Sequence, residues 1–171
     1  TEWNGCATFG APGNDTRKVA AYDVRAALSA EDFIDGSSIW CFSDIFEEIH
    51  PFPEEFHGGY GLVTQHGIAK PLFHALRLLG QAGDKRLELP GALDGEVSVA
   101  AFRDAADTQL TVLATKQNLH HFAGQSTPAT PVEIEVELDA KPQSVQLCRI
   151  DEEHGNPLKC WQAMGEPEDM T

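Results

Sequence analysis

Carboxylates set beside aromatic rings are the residues of this sequence with chemistry to offer. The chain opens with TEWN, which places Glu2 between small polar groups and the indole of Trp3. The run WCFSDIFEE, residues 40–48, joins Trp40 to Asp44, Glu47 and Glu48. An aromatic face beside carboxylates suits a neutral sugar. The ring stacks on the sugar's C–H face, and the carboxylates accept hydrogen bonds from its hydroxyls. Each feature also has a plainer reading. A lone Glu near a chain end is normally solvated surface, and a Trp before an acidic loop is normally a core anchor with a wet edge. Charge narrows the ligand further. No Lys or Arg occurs between Arg25 and Lys70, so this stretch has no cationic clamp for a phosphate or a sugar carboxylate.

Other constellations carry less. FHGGYGLVTQHG, residues 56–67, has glycines that permit tight turns or close backbone approach, but it lacks the GK[ST] ending of a phosphate loop. The histidines His57, His66 and His74 are spaced so that no helical face collects them, and no metal site or cofactor is expected. Cys6, Cys41, Cys148 and Cys160 form no CxxC pair. They read as small buried thiols rather than a disulfide framework, which leans towards an intracellular protein. RIDEEHGNPLKCWQAMGEP, residues 149–167, reads as polar and irregular, with Trp161 and Met164 as anchors. His154 beside Asp151 and Glu152 imitates a catalytic pair, yet no Ser or Cys occupies a nucleophile-elbow context.

These residues need elements to hold them. The chain has 171 residues, 42% hydrophobic, enough for one domain or two small ones with a real core. A formal charge of -15 disfavours nucleic acid and anionic membranes as partners and favours a neutral or cationic ligand. No apolar run approaches the length of a membrane helix. No signal peptide is visible, but a sequence not showing its native N-terminus would not display one, so export stays open.

The first half mixes helix and strand signals. Asn14-Asp15-Thr16 resembles an N-cap for a helix over 17–30, in which Val19, Tyr22, Ala26 and Ala27 recur at helical spacing. SSIWCFS, residues 37–43, has strand length. Residues 44–69 form a long segment whose Phe46, Phe52, Phe56 and Tyr60 argue against disorder. Lys70-Pro71 opens a second helix with Leu72, Ala75, Leu76 and Leu79 as its stripe, ending at Gly80 or Gly83. Alternation of this kind predicts βα units with parallel strands. From about residue 88 the pattern changes to short alternating strands: Val97 and Val99; Leu110, Val112 and Ala114; Val132, Ile134, Val136 and Leu138; Val145 and Leu147. These predict an antiparallel sandwich.

At these residues the sequence resembles glycoside hydrolase family 39, the β-xylosidases and α-L-iduronidases. WCFSDIFEE followed by FHGGYGLVTQHGIAKPLFHALRLL is similar to that family's final barrel unit. RIDEEHGNPLKCWQAMGEP is similar to its C-terminal tail, and TEWN to its nucleophile segment. The resemblance covers nearly the whole chain. It implies a fold of α/β plus all-β class: the last βα units of a TIM barrel over residues 1–87, then an antiparallel accessory β-sandwich with a tail over 88–171. On that mapping Glu2 ends barrel strand seven, residues 37–44 are strand eight, Pro71 opens helix eight, and strands one to six lie outside this chain.

The resemblance also implies roles. Glu2 is the nucleophile, Trp40 lines the sugar pocket, and Glu48 with Glu47 holds sugar hydroxyls. No metal or cofactor is implied. The family's acid/base is a Glu at the end of barrel strand four, which this chain does not contain. Two departures stand out. Cys41 occupies a place where the family usually has Thr, and Gly5-Cys6-Ala7-Thr8-Phe9 replaces a Thr-Ser-Tyr-like stretch. The family's tyrosine near the nucleophile is therefore not carried over, since Phe9 has no hydroxyl.

The leading expectation is the C-terminal portion of a retaining xylan 1,4-β-xylosidase that releases xylose from xylo-oligosaccharides. Two alternatives stand beside it. An α-L-iduronidase-like hydrolase is opposed by the cation-free span, although segments outside this chain could supply Arg or Lys. A non-catalytic carbohydrate-binding or interaction module is opposed by residues 88–148, which hold Phe102 and Phe122 but no Trp or Tyr for stacking. The expected partner is a small carbohydrate, with no nucleic acid or membrane; homo-oligomerisation is left open.

Overall fold

The first turn of the first helix shows why the chain enters it where it does. Thr16 is extended, its Oγ1 accepts a hydrogen bond from the Lys18 amide, and helix α1 runs Arg17–Ala30. In this computed structural model, which describes residues 2–45, 52, 54–117 and 131–168, the helix matches the expected span. Its buried face is Val19, Ala20, Asp23, Val24 and Leu28, turned from the face that Tyr22 and Ala26 would give. Asn14 and Asp15 are not part of the cap. They are the buried residues that close a 3-10 turn, Pro12–Asp15, before it.

Strand β1, Glu2–Trp3, precedes α1, and β2, Ser38–Ile39, follows it. The two pair in parallel, as a right-handed βαβ crossover would join them, with Glu2 opposite Ser38 and Trp3 opposite Ile39. The expected strand over 37–43 is thus shorter as a ladder. Beyond it the chain bends at Trp40, and the returning segment takes over the pairing. The Leu62 amide donates to the Cys41 carbonyl at 3.0 Å and the Val63 amide to the Phe42 carbonyl at 3.1 Å. Helix α2, Pro71–Gly80, opens on Pro71 and buries Leu72 and Ala75, with Leu76 and Leu79 packed alongside, as its stripe predicts.

Three antiparallel strands follow: β3 Lys85–Leu87, β4 Val97–Arg103 and β5 Leu110–Lys116, in the order β3-β4-β5. The face of β4 that packs inward is the opposite of the expected one. Ser98, Ala100 and Phe102 are buried, whereas on the other face only Ala101 is buried and Val97 and Val99 are half-buried. The reason is the α1–α2 pair, which lies against that face. Val19, Val24 and Leu28 of α1, Leu72 and Ala75 of α2, and Ala100 and Phe102 of β4 form one core. Arg25 reinforces the junction by donating to the carbonyls of Leu93 at 2.9 Å and Gly95 at 2.7 Å.

Two further expectations change. Residues 132–138 and 145–147 carry no strand ladder, and Val132, Ile134, Val136, Leu138, Val145 and Leu147 are exposed. Alternation supplies a face, but a strand needs a hydrogen-bonded neighbour, and no described residue pairs with these. The tail is more ordered than its composition suggests. Asn156 caps helix α3, Pro157–Ala163, by accepting from the Lys159 amide at 3.3 Å. Trp161 is its buried anchor, 5.5 Å from the Phe56 ring, with Nε1 donating to the Pro167 carbonyl at 3.0 Å. Met164 is exposed and anchors nothing. The thiols also differ from expectation: all four are free, but Cys6 and Cys41 are only half-buried and Cys148 and Cys160 are exposed.

Candidate active site at the strand ends

Parallel pairing puts the C-terminal ends of β1 and β2 at one edge of the sheet. Glu2 is opposite Ser38, and Trp40 follows two residues further along, at the bend that ends the ladder. The Trp40 amide donates to the Trp3 carbonyl at 3.1 Å, so the indole is fastened one step beyond Glu2. Glu2 is exposed and Trp40 keeps 39% of its surface open. The structure therefore brings Glu2 and Trp40 to one end of the sheet. Glu47 and Glu48, the other two residues expected to bind substrate, lie outside the described residues, as does Phe46.

Beneath this edge is a network that the sequence does not announce. Lys70, the N-cap of α2, is fully buried. Its Nζ lies 2.6 Å from Asp15 Oδ1 and 2.6 Å from Asp44 Oδ2 and donates to the Gly59 carbonyl at 3.1 Å, so the ammonium is enclosed by three oxygens. The second oxygens of the two carboxylates are also engaged. Asp15 Oδ2 accepts from the Gly58 amide at 2.6 Å and Asp44 Oδ1 from the Gly61 amide at 2.7 Å. Burial pushes the Asp15 carboxyl up, against the pull of the Lys70 ammonium. Asp44 was expected, with its neighbours, to offer a carboxylate to sugar hydroxyls. Its place is instead in this buried ion cluster, four residues beyond Trp40, where it holds down the segment that carries the indole.

The loops after the two strands are tied together above the network. Asn14 Nδ2 donates to the carbonyls of Thr8 at 3.1 Å and Gly58 at 2.8 Å. Gly58 has a φ of +79°, and a Cβ there would fall 2.6 Å from the Ala11 carbonyl oxygen. Its lack of a side chain serves the close approach of the two loops rather than a ligand. Tyr60 donates its hydroxyl to the Ala7 carbonyl at 2.7 Å and meets Phe9 edge-on at 5.1 Å. Phe52 stacks on His57 at 4.4 Å, and Phe9 packs against both. Cys41 directs its thiol to the Ser43 carbonyl at 3.3 Å, and burial pushes that thiol up.

Elsewhere, His154 Nδ1 meets Asp151 Oδ1 at 2.8 Å, and the same oxygen accepts from the amides of Glu153 and His154. The pair closes an exposed turn. His66 pairs with the buried Glu55 in the returning loop. Among the described residues no group of three or more His, Cys, Asp or Glu side chains is arranged to hold a metal ion. Lys70 and Asp15 were not singled out from the sequence for this role. The one available signal was the position of Lys70, which ends the cation-free span directly before a helix-opening proline.

A parallel βαβ pair followed by a small antiparallel sheet is what the comparisons with known proteins have to match. Across residues 1–171 the chain matches the family model Glycosyl hydrolases family 39. It is 32% identical over 167 residues to a beta-xylosidase of Geobacillus stearothermophilus, covering 98% of this chain and 31% of that protein. To a beta-xylosidase of Caldicellulosiruptor saccharolyticus it is 30% identical over 176 residues, covering 98% and 34%. The chain thus spans about a third of the length of these relatives. Its fold superposes on the crystal structure of a monomeric beta-xylosidase from Caulobacter crescentus CB15, with a TM-score of 0.72 and 25% identity, over 100% of this chain and 36% of that one. It also superposes on a GH39 enzyme from Xanthomonas axonopodis pv. citri, with a TM-score of 0.69 and 22% identity, over 100% and 35%. With the family model matched from end to end, this chain belongs to glycosyl hydrolases family 39.

Proposed function

We propose that this chain is the nucleophile-bearing C-terminal portion of a retaining β-xylosidase. On this reading residues 1–87 are the last βα units of a TIM barrel and residues 88–171 an accessory β-sandwich with its tail. The observation that carries the proposal is the parallel register that brings Glu2 and Trp40 to the same strand end. Barrel enzymes place their chemistry at that end. The family membership and the beta-xylosidase relatives supply the reaction class.

The chemistry follows from a carboxylate at that edge. In a retaining glycosidase two carboxyl groups flank the scissile bond at about 5–5.5 Å. A Glu2 carboxylate oxygen attacks the anomeric carbon as the bond to the leaving-group oxygen breaks, and that oxygen takes a proton from the acid/base. Water, deprotonated by the same acid/base, then attacks the anomeric carbon and releases xylose and the free Glu2 carboxylate. Trp40 stacks on the sugar ring, while Glu48 and Glu47 hold its hydroxyls. The acid/base belongs to barrel strand four, outside this chain. The substrate is neutral on this reading, because Lys70, which ends the cation-free span, is fully buried between Asp15 and Asp44 and is not presented to a sugar carboxylate. That supports a xyloside over an iduronide.

The test uses the full-length protein that carries this chain. Glu2→Ala is expected to lower hydrolysis of an aryl β-xyloside on the order of 10⁴-fold or more. A variant that keeps its activity ends the assignment of Glu2. A wild-type protein that turns over an aryl iduronide but not the xyloside would move the substrate to the iduronides.

A further inference from the structure

Two loops leave the strand ends that carry Glu2 and Trp40, and both contribute aromatic rings to one cluster. Phe9 comes from the loop after β1. Phe52, His57 and Tyr60 come from the segment after β2. Because β1 and β2 are parallel, both loops emerge at the same edge as the candidate nucleophile. Tyr60 fixes the cluster to that edge from two sides. Its carbonyl accepts from the amide of Cys41, the residue after Trp40, at 3.3 Å, and its hydroxyl reaches the Ala7 carbonyl at 2.7 Å.

The composition of the cluster departs from that of a core. Phe9, Phe52, His57 and Tyr60 are all half-buried rather than buried. None belongs to the hydrophobic core formed by α1, α2 and β4. Their rings pack against one another, Phe52 flat on His57 at an interplanar angle of 11° and Tyr60 edge-on to Phe9 at 86°. Rings locked by mutual packing lose little entropy when a flat partner arrives, and they keep apolar surface open to it. Lys70, the nearest cation in this part of the chain, is consumed by the buried carboxylates beneath. The surface that these four rings leave open is aromatic.

From this arrangement we infer that Phe9, Phe52, His57 and Tyr60 form the wall that binds the leaving group of the substrate, a second neutral pyranose or an aryl aglycone. The inference rests on the proposed glycosidase reading, and it adds a division of labour. Trp40 receives the sugar whose anomeric carbon reacts, and the aromatic cluster receives the group that departs. Its hydroxyl already committed, Tyr60 offers only its ring, so recognition here is by stacking. The wall accepts xylose and aryl rings alike and discriminates by shape more than by hydroxyl pattern.

The test compares leaving groups in the full-length protein. Xylobiose and an aryl β-xyloside carry a ring beyond the scissile bond; β-xylosyl fluoride does not. Phe52→Ala and Phe9→Leu are each expected to lower kcat/KM for xylobiose about tenfold more than for the fluoride, chiefly through KM. Phe9→Leu keeps an apolar side chain in the loop, and turnover of the fluoride shows that each variant is folded and chemically competent. Equal losses on both substrates, or no loss on xylobiose, overturn the wall. Failure of the wild-type protein to hydrolyse any of the three substrates ends the glycosidase reading itself, and the wall with it.

Discussion

Asp23 is the residue whose environment is hardest to reconcile with its chemistry. It lies on the buried face of α1, fully enclosed, and neither carboxyl oxygen has a hydrogen-bond partner. Burial pushes its pKa from the ordinary 3.8 up to about 7. The consequence for stability has a definite sign. Below pH 4 the carboxyl is protonated in both folded and unfolded chains and costs nothing extra. As pH rises towards 7 the unfolded chain releases the proton that the folded one retains, so stability falls through that window and levels off above it. The shift corresponds to a loss on the order of 4 kcal/mol across the window. Asp23→Asn should remove most of that slope and raise stability at pH 8 relative to wild type. Urea denaturation of both proteins at pH 5 and pH 8 checks it, and equal slopes would show that Asp23 is not the titrating group. The stripe of Val19, Tyr22, Ala26 and Ala27 does not single out Asp23, whose burial follows from the face that α1 turns inward. Asp44 was not legible either. Its spacing from Trp40 suggests a sugar ligand, and only its approach to Lys70, distant along the chain, commits it to the interior.

The elements divide by whether local chemistry defines them. Helix α1 was legible to the residue because Thr16 caps it, and α2 because Pro71 opens it. Helix α3 carries the same signals in Asn156 and Pro157, but its polar, short sequence hid them. The strands were legible as candidates, and their pairing was not, because a ladder is a property of two segments. The inward face of β4 went the other way for a related reason. Alternation fixes two faces, and the position of α1 and α2 decides which one is covered. The clamp between elements is the Lys70 cluster, which joins the N-terminus of α2 to the turn before α1 and to the chain beyond β2. Removing one partner from a buried ion cluster leaves charge without compensation, at a cost of about 3–5 kcal/mol. Lys70→Met keeps the length of the stem and deletes the ammonium. It should lower stability by that amount, read as a drop in the denaturation midpoint with an unchanged slope. A loss below about 1 kcal/mol would mean that Asp15 and Asp44 find other partners.

At the scale of the whole molecule, several large apolar side chains of the described residues stand exposed. Phe33, Phe42 and Ile45 are 84%, 69% and 70% exposed, and Val145 and Leu147 are exposed as well. Phe42 and Ile45 lie just beyond β2, the second strand of a sheet with two strands among the described residues. Two strands are marginal as a sheet in water, and open edges recruit other chains. The relatives supply a scale for what is uncovered, since this chain spans about a third of their length. On the proposed reading the acid/base and most of the barrel wall belong to the remainder. A chain bearing the nucleophile alone has no group to protonate the leaving oxygen or to activate water. The 171-residue chain produced by itself should therefore show no turnover of an aryl β-xyloside. It should also associate with itself as its concentration rises, while the full-length protein at equal concentration does not. Light scattering coupled to size exclusion reads the second expectation and a chromogenic xyloside the first. A monodisperse isolated chain with measurable turnover would require an acid/base within these residues, and would overturn the division of catalytic labour proposed for Glu2.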